Sequence, residues 1–401
     1  MINIKKIKEA KTRLNGIIRS TPIAFAPILS KQHNADIYLK KENLQLTGSF
    51  KLRGAFNKIA KLSNDERQKG VVAASAGNHA QGVAFSAKHF NIDATIVMPE
   101  ATPLTKVSGV KSYGANVVLY GANYDEAYKY AIDYAKEQNK IFVHPFANDD
   151  IIAGQGTVAL EIFDEIKDID IIVVPIGGGG LISGIATVAK KLNPNIKIIG
   201  VVASGASAMK ESFEANKAID SIAVKTIADG IAVRDVTPRM LDYVLDLVDE
   251  IVEVEDNEIA SAILFLLEQH KLVVEGAGAT GTAAIMHKKI DVKGKKVVLP
   301  LSGGNIDVTM LAQIIEKGLV KSSRKMNLIV TLIDKPGSLK MLTNIFENLN
   351  ANIVQIDYDR NSVSLDFGDA NVTIGLETKG EEHQEELRMT LKDNGYRFRE
   401  L

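Results

Sequence analysis

The chain has 401 residues, of which 46% are hydrophobic and 24% charged, so we expect a globular protein of two or three domains. Its formal net charge of −1 favours neither a nucleic-acid nor a membrane-surface partner, and the absence of cysteine excludes disulfides, thiolate metal sites and a cysteine nucleophile. The N-terminus lacks a signal-peptide core and no apolar run is long enough to span a bilayer, so we expect a cytoplasmic protein.

Short apolar runs alternate with helical stretches from Asp36 to about Leu319. The predicted strands are Ile37–Leu39, Gly70–Ala74, Asp93–Met98, Asn116–Tyr120, Ile169–Pro175, Ile196–Val202 and Lys296–Leu301. The predicted helices are Phe50–Leu62, Asn78–His89, Tyr124–Glu137, Ile152–Ile166, Leu181–Leu192 and Asn257–His270. Strand followed by helix, repeated, predicts an α/β protein with mostly parallel sheets, which bind ligands at the carboxyl ends of their strands. We therefore expect the loops after Ala74, Ile176 and Leu301 to meet in one crevice.

A different pattern follows a polar segment at residues 321–326, which predicts a linker. Asn327–Ile333 is predicted to be a strand, and the helix after it is expected to begin at Pro336. The remaining predictions are the strands Ile353–Tyr358, Ser362–Phe367, Val372–Leu376 and Tyr396–Phe398 and the helix Glu381–Leu391. This order predicts a small α+β ferredoxin-like module, and its size suggests that self-pairing or docking stabilises it.

Two loops carry residues suited to a phosphorylated aldehyde. Lys51 stands at a loop-to-helix turn after Gly48 and Ser49, where the helix N-terminus favours the neutral amine that a Schiff base requires. A glycine run lies between an apolar strand and a helix that opens at Leu181, and its N–H groups suit a phosphate. The run consists of Gly177, Gly178, Gly179 and Gly180. It has neither a Walker ending nor a dinucleotide spacing with an acidic ribose partner. Alone, these features also fit a surface lysine and a flexible turn; together they predict bound pyridoxal phosphate.

Two further loops complete the candidate site. The loop after Ala74 joins a strand to a helix and offers a second anion site, suited to a substrate carboxylate. Its residues are Ser75, Ala76, Gly77, Asn78 and His79. Asn78 can donate to the phenolic oxygen of the cofactor, whereas a lone His79 is more typical of a structural donor than of a base. Ser302 can hydrogen-bond the pyridine nitrogen without forcing its protonation, although an ordinary strand-end turn has a similar sequence.

These segments, in this order, resemble the tryptophan-synthase-like (fold type II) pyridoxal phosphate enzymes. More narrowly, four stretches look like the threonine dehydratase (threonine ammonia-lyase) family: Lys41–Gln45, Gly48–Ala55, Ser75–Gly82 and Thr226–Val233. The stretch Val330–Leu339 resembles an ACT regulatory domain. The resemblance implies a catalytic domain at 1–320, built from two open α/β subdomains with the smaller one at roughly 50–150, and an ACT-like domain at 327–401.

The resemblance also implies a role for each candidate residue. Lys51 would form the Schiff base and remove the α-proton, Phe50 would pack beside the ring, and Ser302 would meet the ring nitrogen. Asn78 would bind the ring oxygen, Gly177–Leu181 the phosphate, and the loop from Ser75 the substrate carboxylate. The implied reaction is α,β-elimination of L-threonine to 2-oxobutanoate and ammonia, with L-serine giving pyruvate. A homo-oligomer regulated by an amino acid, isoleucine or valine by analogy of pathway, is implied as well.

Two positions depart from the serine racemases of this family. Ala76 stands where they have a serine that relays a proton, so efficient racemisation is disfavoured. Residues 203–207 lack the carboxylate that holds their divalent metal, so a magnesium site is disfavoured, while a monovalent cation held by carbonyl groups stays compatible. The alternatives are a serine-specific dehydratase, a serine racemase, or a non-catalytic amino-acid sensor, and the last is opposed by Lys51, Asn78 and Ser302.

Overall fold

The computed structural model describes residues 1–361, 363 and 365–401. The chain forms two compact units, Met1–Asp307 and Val308–Leu401. In the described residues, no helix has both the length and the apolar character that crossing a membrane requires.

The first unit alternates strands and helices, as the sequence pattern predicts. Its helices are α1 (Ile4–Leu14), α2 (Pro27–His33), α3 (Lys51–Ala60), α4 (Asn64–Lys69), α5 (Asn78–His89), α6 (Leu104–Lys111), α7 (Tyr124–Glu137), α8 (Asp149–Glu165), α9 (Gly180–Leu192), α10 (Ala208–Ala215), α11 (Pro238–Leu247), α12 (Asp256–His270) and α13 (Gly276–Met286). Its strands are β1 (Ile23–Phe25), β2 (Asp36–Lys40), β3 (Val71–Ala74), β4 (Ala94–Met98), β5 (Asn116–Leu119), β6 (Ile141–Phe142), β7 (Ile171–Pro175), β8 (Lys197–Ala203), β9 (Glu250–Val254) and β10 (Lys296–Pro300).

Two separate sheets organise this unit. The larger subdomain has the strand order β1-β2-β10-β7-β8-β9, in which every pair is parallel except β1 with β2. The smaller subdomain has the order β5-β4-β3-β6 and is parallel throughout. Strands β3 and β7 are buried along their whole length, which explains why they are continuous apolar runs in the sequence. The structure therefore has the predicted architecture of two open α/β subdomains.

The start of α8 shows how local sequence fixes an element that apolar periodicity places wrongly. The side chain of Asn148 accepts hydrogen bonds from the N–H groups of Asp150 and Ile151. An asparagine cap followed by acidic residues stabilises the first turn, so the helix begins at Asp149 and not at the predicted Ile152.

The second unit begins with a helix and continues as a ferredoxin-like module. Its elements are α14 (Val308–Lys321), β11 (Lys325–Ile333), α15 (Ser338–Asn348), β12 (Asn352–Asp359), β13 (Asp369–Glu377), α16 (Glu381–Asp393) and β14 (Arg397–Glu400). The sheet order is β12-β13-β11-β14, with all neighbours antiparallel. Alternate residues of β11 are buried against apolar side chains of α15 and α16, so the helices cover one face of the sheet. This is the predicted α+β arrangement.

Three details of the second unit differ from the predictions. Helix α14 contacts β11 and groups with this unit, although residues up to 320 were assigned to the catalytic domain, and the predicted linker at 321–326 overlaps β11. Helix α15 begins at Ser338 and not at Pro336, because Gly337 adopts a φ of 92° immediately before it. The predicted strand Ser362–Phe367 includes residues 362 and 364, which lie outside the described residues, and residues 363 and 365–367 form no strand.

Candidate active site

Backbone hydrogen bonds join the loops after β2 and β10 beside Lys51. Ser49 and Gly303 form an isolated antiparallel bridge. The N–H of Phe50 donates to the carbonyl of Ser302 at 3.0 Å, and a second backbone bond of 2.9 Å joins Gly304 to Gly48. Because both loops leave the carboxyl ends of neighbouring parallel strands, the sheet itself brings Ser302 next to the start of α3.

Lys51 is the first residue of α3, and it is half-buried. Its Nζ lies 3.3 Å from the carbonyl oxygen of Pro145 and 5.4 Å from the centroid of the Phe50 ring. Burial lowers the pKa of Lys51 to about 8, against the opposing charge of Glu275. A much larger fraction of this amine is therefore neutral near pH 7 than of an exposed lysine, as nucleophilic and basic chemistry requires.

A buried ionic cluster holds the backbone around Lys51. The Arg53 guanidinium, fully buried, donates to both carboxylate oxygens of Glu42 at 2.8 Å and to those of Glu161 at 2.6 and 2.8 Å. Lys40 also contacts Glu161, at 2.5 Å. Glu42 and Arg53 belong to the stretches on which the family resemblance rests. Their contacts tie the two stretches together and fix where α3 begins.

The glycine run lies where β7 gives way to α9. Gly179 adopts a φ of 83°, and α9 begins at Gly180. A Cβ added to Gly178 would lie 2.5 Å from the ring of Phe146, and one added to Gly177 would lie 2.9 Å from Ile231 Cα. Within the described part of the chain, the N–H groups of residues 177–182 have no hydrogen-bond acceptor. Side chains are thus excluded here, and a helix N-terminus presents free donors, as anion binding requires.

The loop from Ser75 to His79 forms a second helix N-terminus. The N–H of Gly77 donates to Ser75 Oγ at 3.1 Å, and α5 begins at Asn78. His79 Nε2 lies 2.9 Å from the carbonyl oxygen of Val143, and burial, with the charge of Lys51, lowers the pKa of His79 to about 3. His79 is therefore neutral and donates to Val143 through Nε2. The structure makes it a structural donor and not a base.

Glu275 is a residue of the candidate site that sequence reasoning missed. Its side chain is only 3% exposed, and Asn78 Nδ2 donates to its two carboxylate oxygens at 2.7 and 3.0 Å. Burial raises the pKa of Glu275 to about 7, with a further contribution from Asp229. One signal was available, since Glu275 is a single carboxylate between apolar Val273-Val274 and a helix rich in glycine and alanine.

Several buried hydroxyls near these loops have no partner within the described protein. They include the side-chain oxygens of Thr47, Ser49 and Ser183, which flank Lys51 or follow the glycine run. Ser302 is 2% exposed and lies on the adjacent loop. Buried polar groups are nearly always hydrogen-bonded, so unpaired ones beside a free helix N-terminus indicate a site built for a polar ligand.

A family model described as pyridoxal-phosphate-dependent enzyme matches residues 14–303. The chain belongs to that family. The free N–H groups of residues 177–182, the amine of Lys51 and the unpaired hydroxyls fit the phosphate, the aldehyde and the polar ring substituents of pyridoxal phosphate. The predicted residues thus lie on loops that contact one another directly or through Pro145, Phe146 and Glu275, whereas their individual roles toward the cofactor stay predictions.

Individual relatives narrow the comparison. The L-threonine ammonia-lyase of Thermotoga maritima is 48% identical over 100% of this chain and 99% of its own length. The processed form of threonine deaminase isoform 2 from Solanum lycopersicum superposes with a TM-score of 0.74 at 36% identity, over 78% of this chain and 87% of that one. Maize serine racemase has the same TM-score and identity, over 79% and 99% of the two chains.

Proposed function

We propose that the protein is a threonine ammonia-lyase that converts L-threonine to 2-oxobutanoate and ammonia, and L-serine to pyruvate. The observation that carries this proposal is the partly neutral amine of Lys51, held between Phe50 and Pro145 and flanked by two helix N-termini with free N–H groups. The full-length similarity to the Thermotoga maritima enzyme supports the choice of reaction.

The cofactor would be held by residues from four loops. Gly177–Gly180 and Leu181 would donate to its phosphate, Lys51 would bind its aldehyde, and Phe50 would lie beside its ring. Asn78 and Ser302 would hydrogen-bond the ring oxygen and the ring nitrogen. When bound, pyridoxal phosphate supplies an electron sink for the negative charge that develops at the α-carbon of the amino acid. A monovalent cation near residues 203–207, a cytoplasmic location and a homo-oligomeric state also stay predictions.

The chain's own groups would carry the proton transfers and the orientation of substrate. Lys51 Nζ is the base placed to accept the α-proton, because its lowered pKa leaves an appreciable neutral fraction. The helix N-terminus at Ser75–His79 would hold the substrate carboxylate by free N–H groups and the helix dipole. The low pKa of His79 excludes it as a competing proton carrier near neutral pH.

A 2-oxo acid assay with threonine and serine tests the proposed function directly. We expect ammonia and a 2-oxo acid in equal amounts from both substrates, together with a visible absorbance band from the cofactor bound in the purified protein. A protein that shows the absorbance band and acts on serine alone would be a serine-specific dehydratase. A protein with neither the band nor turnover would be the non-catalytic sensor.

Position 76 distinguishes a lyase from a serine racemase. The racemase is an alternative because the chain is similar to maize serine racemase. Ala76 has a methyl group that cannot relay a proton. We expect Ala76→Ser to increase the ratio of D-serine formation to elimination, because it restores a hydroxyl at the start of the second helix N-terminus. Chiral chromatography of the products measures this ratio. If the variant forms no D-serine while it still deaminates, the assigned role of position 76 is wrong.

The second unit is proposed to be a regulatory module of the ACT type. None of its residues belongs to the cofactor loops, and its fold matches the predicted ferredoxin-like arrangement. We expect truncation after Lys321, which removes the sheet module and keeps α14, to abolish a response of threonine turnover to isoleucine or valine. Turnover with each amino acid and the molar mass in solution are compared for the two proteins. Identical responses and identical oligomeric states would contradict the regulatory proposal.

A further inference from the structure

The side-chain amide of Asn78 is oriented by a neighbour on each side. Asn305 Nδ2 donates to the carbonyl oxygen of Thr47 at 2.8 Å and to Asn78 Oδ1 at 2.6 Å. On the other side, Asn78 Nδ2 faces the carboxylate of Glu275. A main-chain carbonyl and a carboxylate can only accept hydrogen bonds, so both amides have one orientation that satisfies every contact. Thr47, Asn305, Asn78 and Glu275 therefore form a directed chain of hydrogen bonds.

The backbone and the carboxylate of Glu275 both pack closely against Gly303. Its N–H donates to the carbonyl of Gly303 at 3.0 Å, and a Cβ added to Gly303 would collide with its carboxylate. Although Glu275 directly precedes α13, its side chain forms no hydrogen bond with the first turn of that helix. The carboxylate is therefore not a helix cap, and its hydrogen bonds go to Asn78.

Asn78 still has one N–H bond to offer. The two oxygens of a single carboxylate lie close together, whereas the two N–H bonds of an amide diverge by about 120°. The contacts of 2.7 and 3.0 Å from Asn78 Nδ2 to Glu275 thus occupy one hydrogen in a shared bond. Within the described residues, the second hydrogen has no protein acceptor and remains for a ligand.

We propose that Glu275 is a positioning residue that locks the Asn78 amide in the donor orientation, so that its remaining N–H points to the cofactor's ring oxygen. The inference rests on the proposed function only in taking the ring oxygen as that acceptor. Without the carboxylate, the Asn78 amide keeps only its contact with Asn305, and its Nδ2 is held less firmly.

If Glu275 positions Asn78, the retention of cofactor should depend on the ionisation of Glu275 and therefore on pH. Burial and the charge of Asp229 raise the pKa of Glu275 to about 7, while the hydrogen bond from Asn78 and the charges of Lys106 and Lys51 lower it. Lys106 itself forms an ion pair with Asp229 at 2.8 Å. Above pH 7 the carboxylate is ionised and accepts a charge-assisted hydrogen bond from Asn78; as the pH falls through 7 it gains a proton and accepts only as a neutral carbonyl group. The positioning effect is therefore strongest above pH 7 and weaker below it.

The test compares cofactor retention by the wild-type and Glu275→Gln holoenzymes. We expect the variant to lose cofactor roughly tenfold to a hundredfold faster on dilution well above pH 7, the effect of one hydrogen bond to a charged group. Well below pH 7 the two proteins should converge, because a protonated glutamate resembles glutamine. Dividing the rate of cofactor loss from the variant by the rate from the wild type cancels the effect of every group that titrates alike in both proteins. Absorbance of the bound cofactor follows the loss, so the readout does not depend on turnover.

Repeating the Glu275→Gln substitution in an Asn78→Ala protein shows whether Glu275 acts through Asn78 or only supports the fold. In an Asn78→Ala protein, Glu275→Gln should cause no additional loss of cofactor, because the residue through which it acts is gone. If glutamine prevents folding, Glu275→Asp serves instead; it should retain the pH dependence with weaker retention. Equal retention by wild type and variant above pH 7, or an undiminished effect without Asn78, would overturn the inference. A wild-type protein that holds no cofactor would instead contradict the proposed function itself.

Discussion

Lys51→Ala is expected to lower threonine turnover by at least about 1000-fold, because it removes the amine that is proposed to bind the cofactor and to accept the α-proton. Steady-state formation of 2-oxobutanoate measures the loss, and circular dichroism checks the fold. Lys58→Ala is the matched control: Lys58 lies on the same helix, and its Nζ is 3.7 Å from Asp150 in a partly buried ion pair.

The control variant should keep close to wild-type turnover, because Asp150 keeps Lys61 as a second ion-pair partner. Rescue of Lys51→Ala by a small added amine would still agree with the account. Near-normal turnover of Lys51→Ala without any added amine would show that another group is the catalytic lysine.

Gly178→Ala is expected to weaken cofactor binding by at least roughly tenfold and to lower turnover with it, because the run cannot accept a side chain without moving. The added Cβ would lie 2.5 Å from the ring of Phe146, which follows the Pro145 carbonyl that contacts Lys51. Displacing Phe146 therefore disturbs the phosphate cradle and the lysine together. Cofactor content after gel filtration and the thermal unfolding midpoint measure the two consequences.

Gly109→Ala is the matched control for the glycine substitution. A Cβ at Gly109 would have Gln81 Nε2, at 3.9 Å, as its nearest neighbour, and the residue lies inside α6. Alanine is a better helix former than glycine, so we expect unchanged cofactor content and an equal or higher unfolding midpoint. If Gly178→Ala retains cofactor as well as Gly109→Ala does, the glycine run is not the phosphate site.

Local sequence was sufficient to find the loops of the candidate site. Lys51 and the glycine run each stand where a predicted loop meets a predicted helix, and α3 and α9 begin there. Parallel strands place such loops at one edge of a sheet, so their meeting could be expected from pattern alone. The same reasoning predicted the strands and helices from β11 to β14, together with one additional strand at 362–367 that the described residues there do not form.

Long-range contacts account for what the sequence did not predict. Glu275 contacts Asn78, which lies 197 positions away in the chain, and the sequence around Glu275 does not indicate that partner. Strand β6 has only two residues and is recognisable through its pairing with β3, not through its own pattern. Helix α14 is an amphipathic helix, and its grouping with the second unit depends on packing that its own pattern does not reveal.

Lys51 is proposed to bind pyridoxal phosphate through its amine, and chemical trapping of that bond identifies the lysine. Borohydride reduction of the holoenzyme fixes the bond between a lysine and the cofactor's aldehyde, and peptide mass mapping then locates the modified residue. If Lys51 binds the cofactor, we expect a single modified peptide that contains Phe50-Lys51-Leu52, with the added mass on Lys51. Modification of a different lysine, or a protein that retains cofactor yet has no modified lysine after reduction, would contradict it.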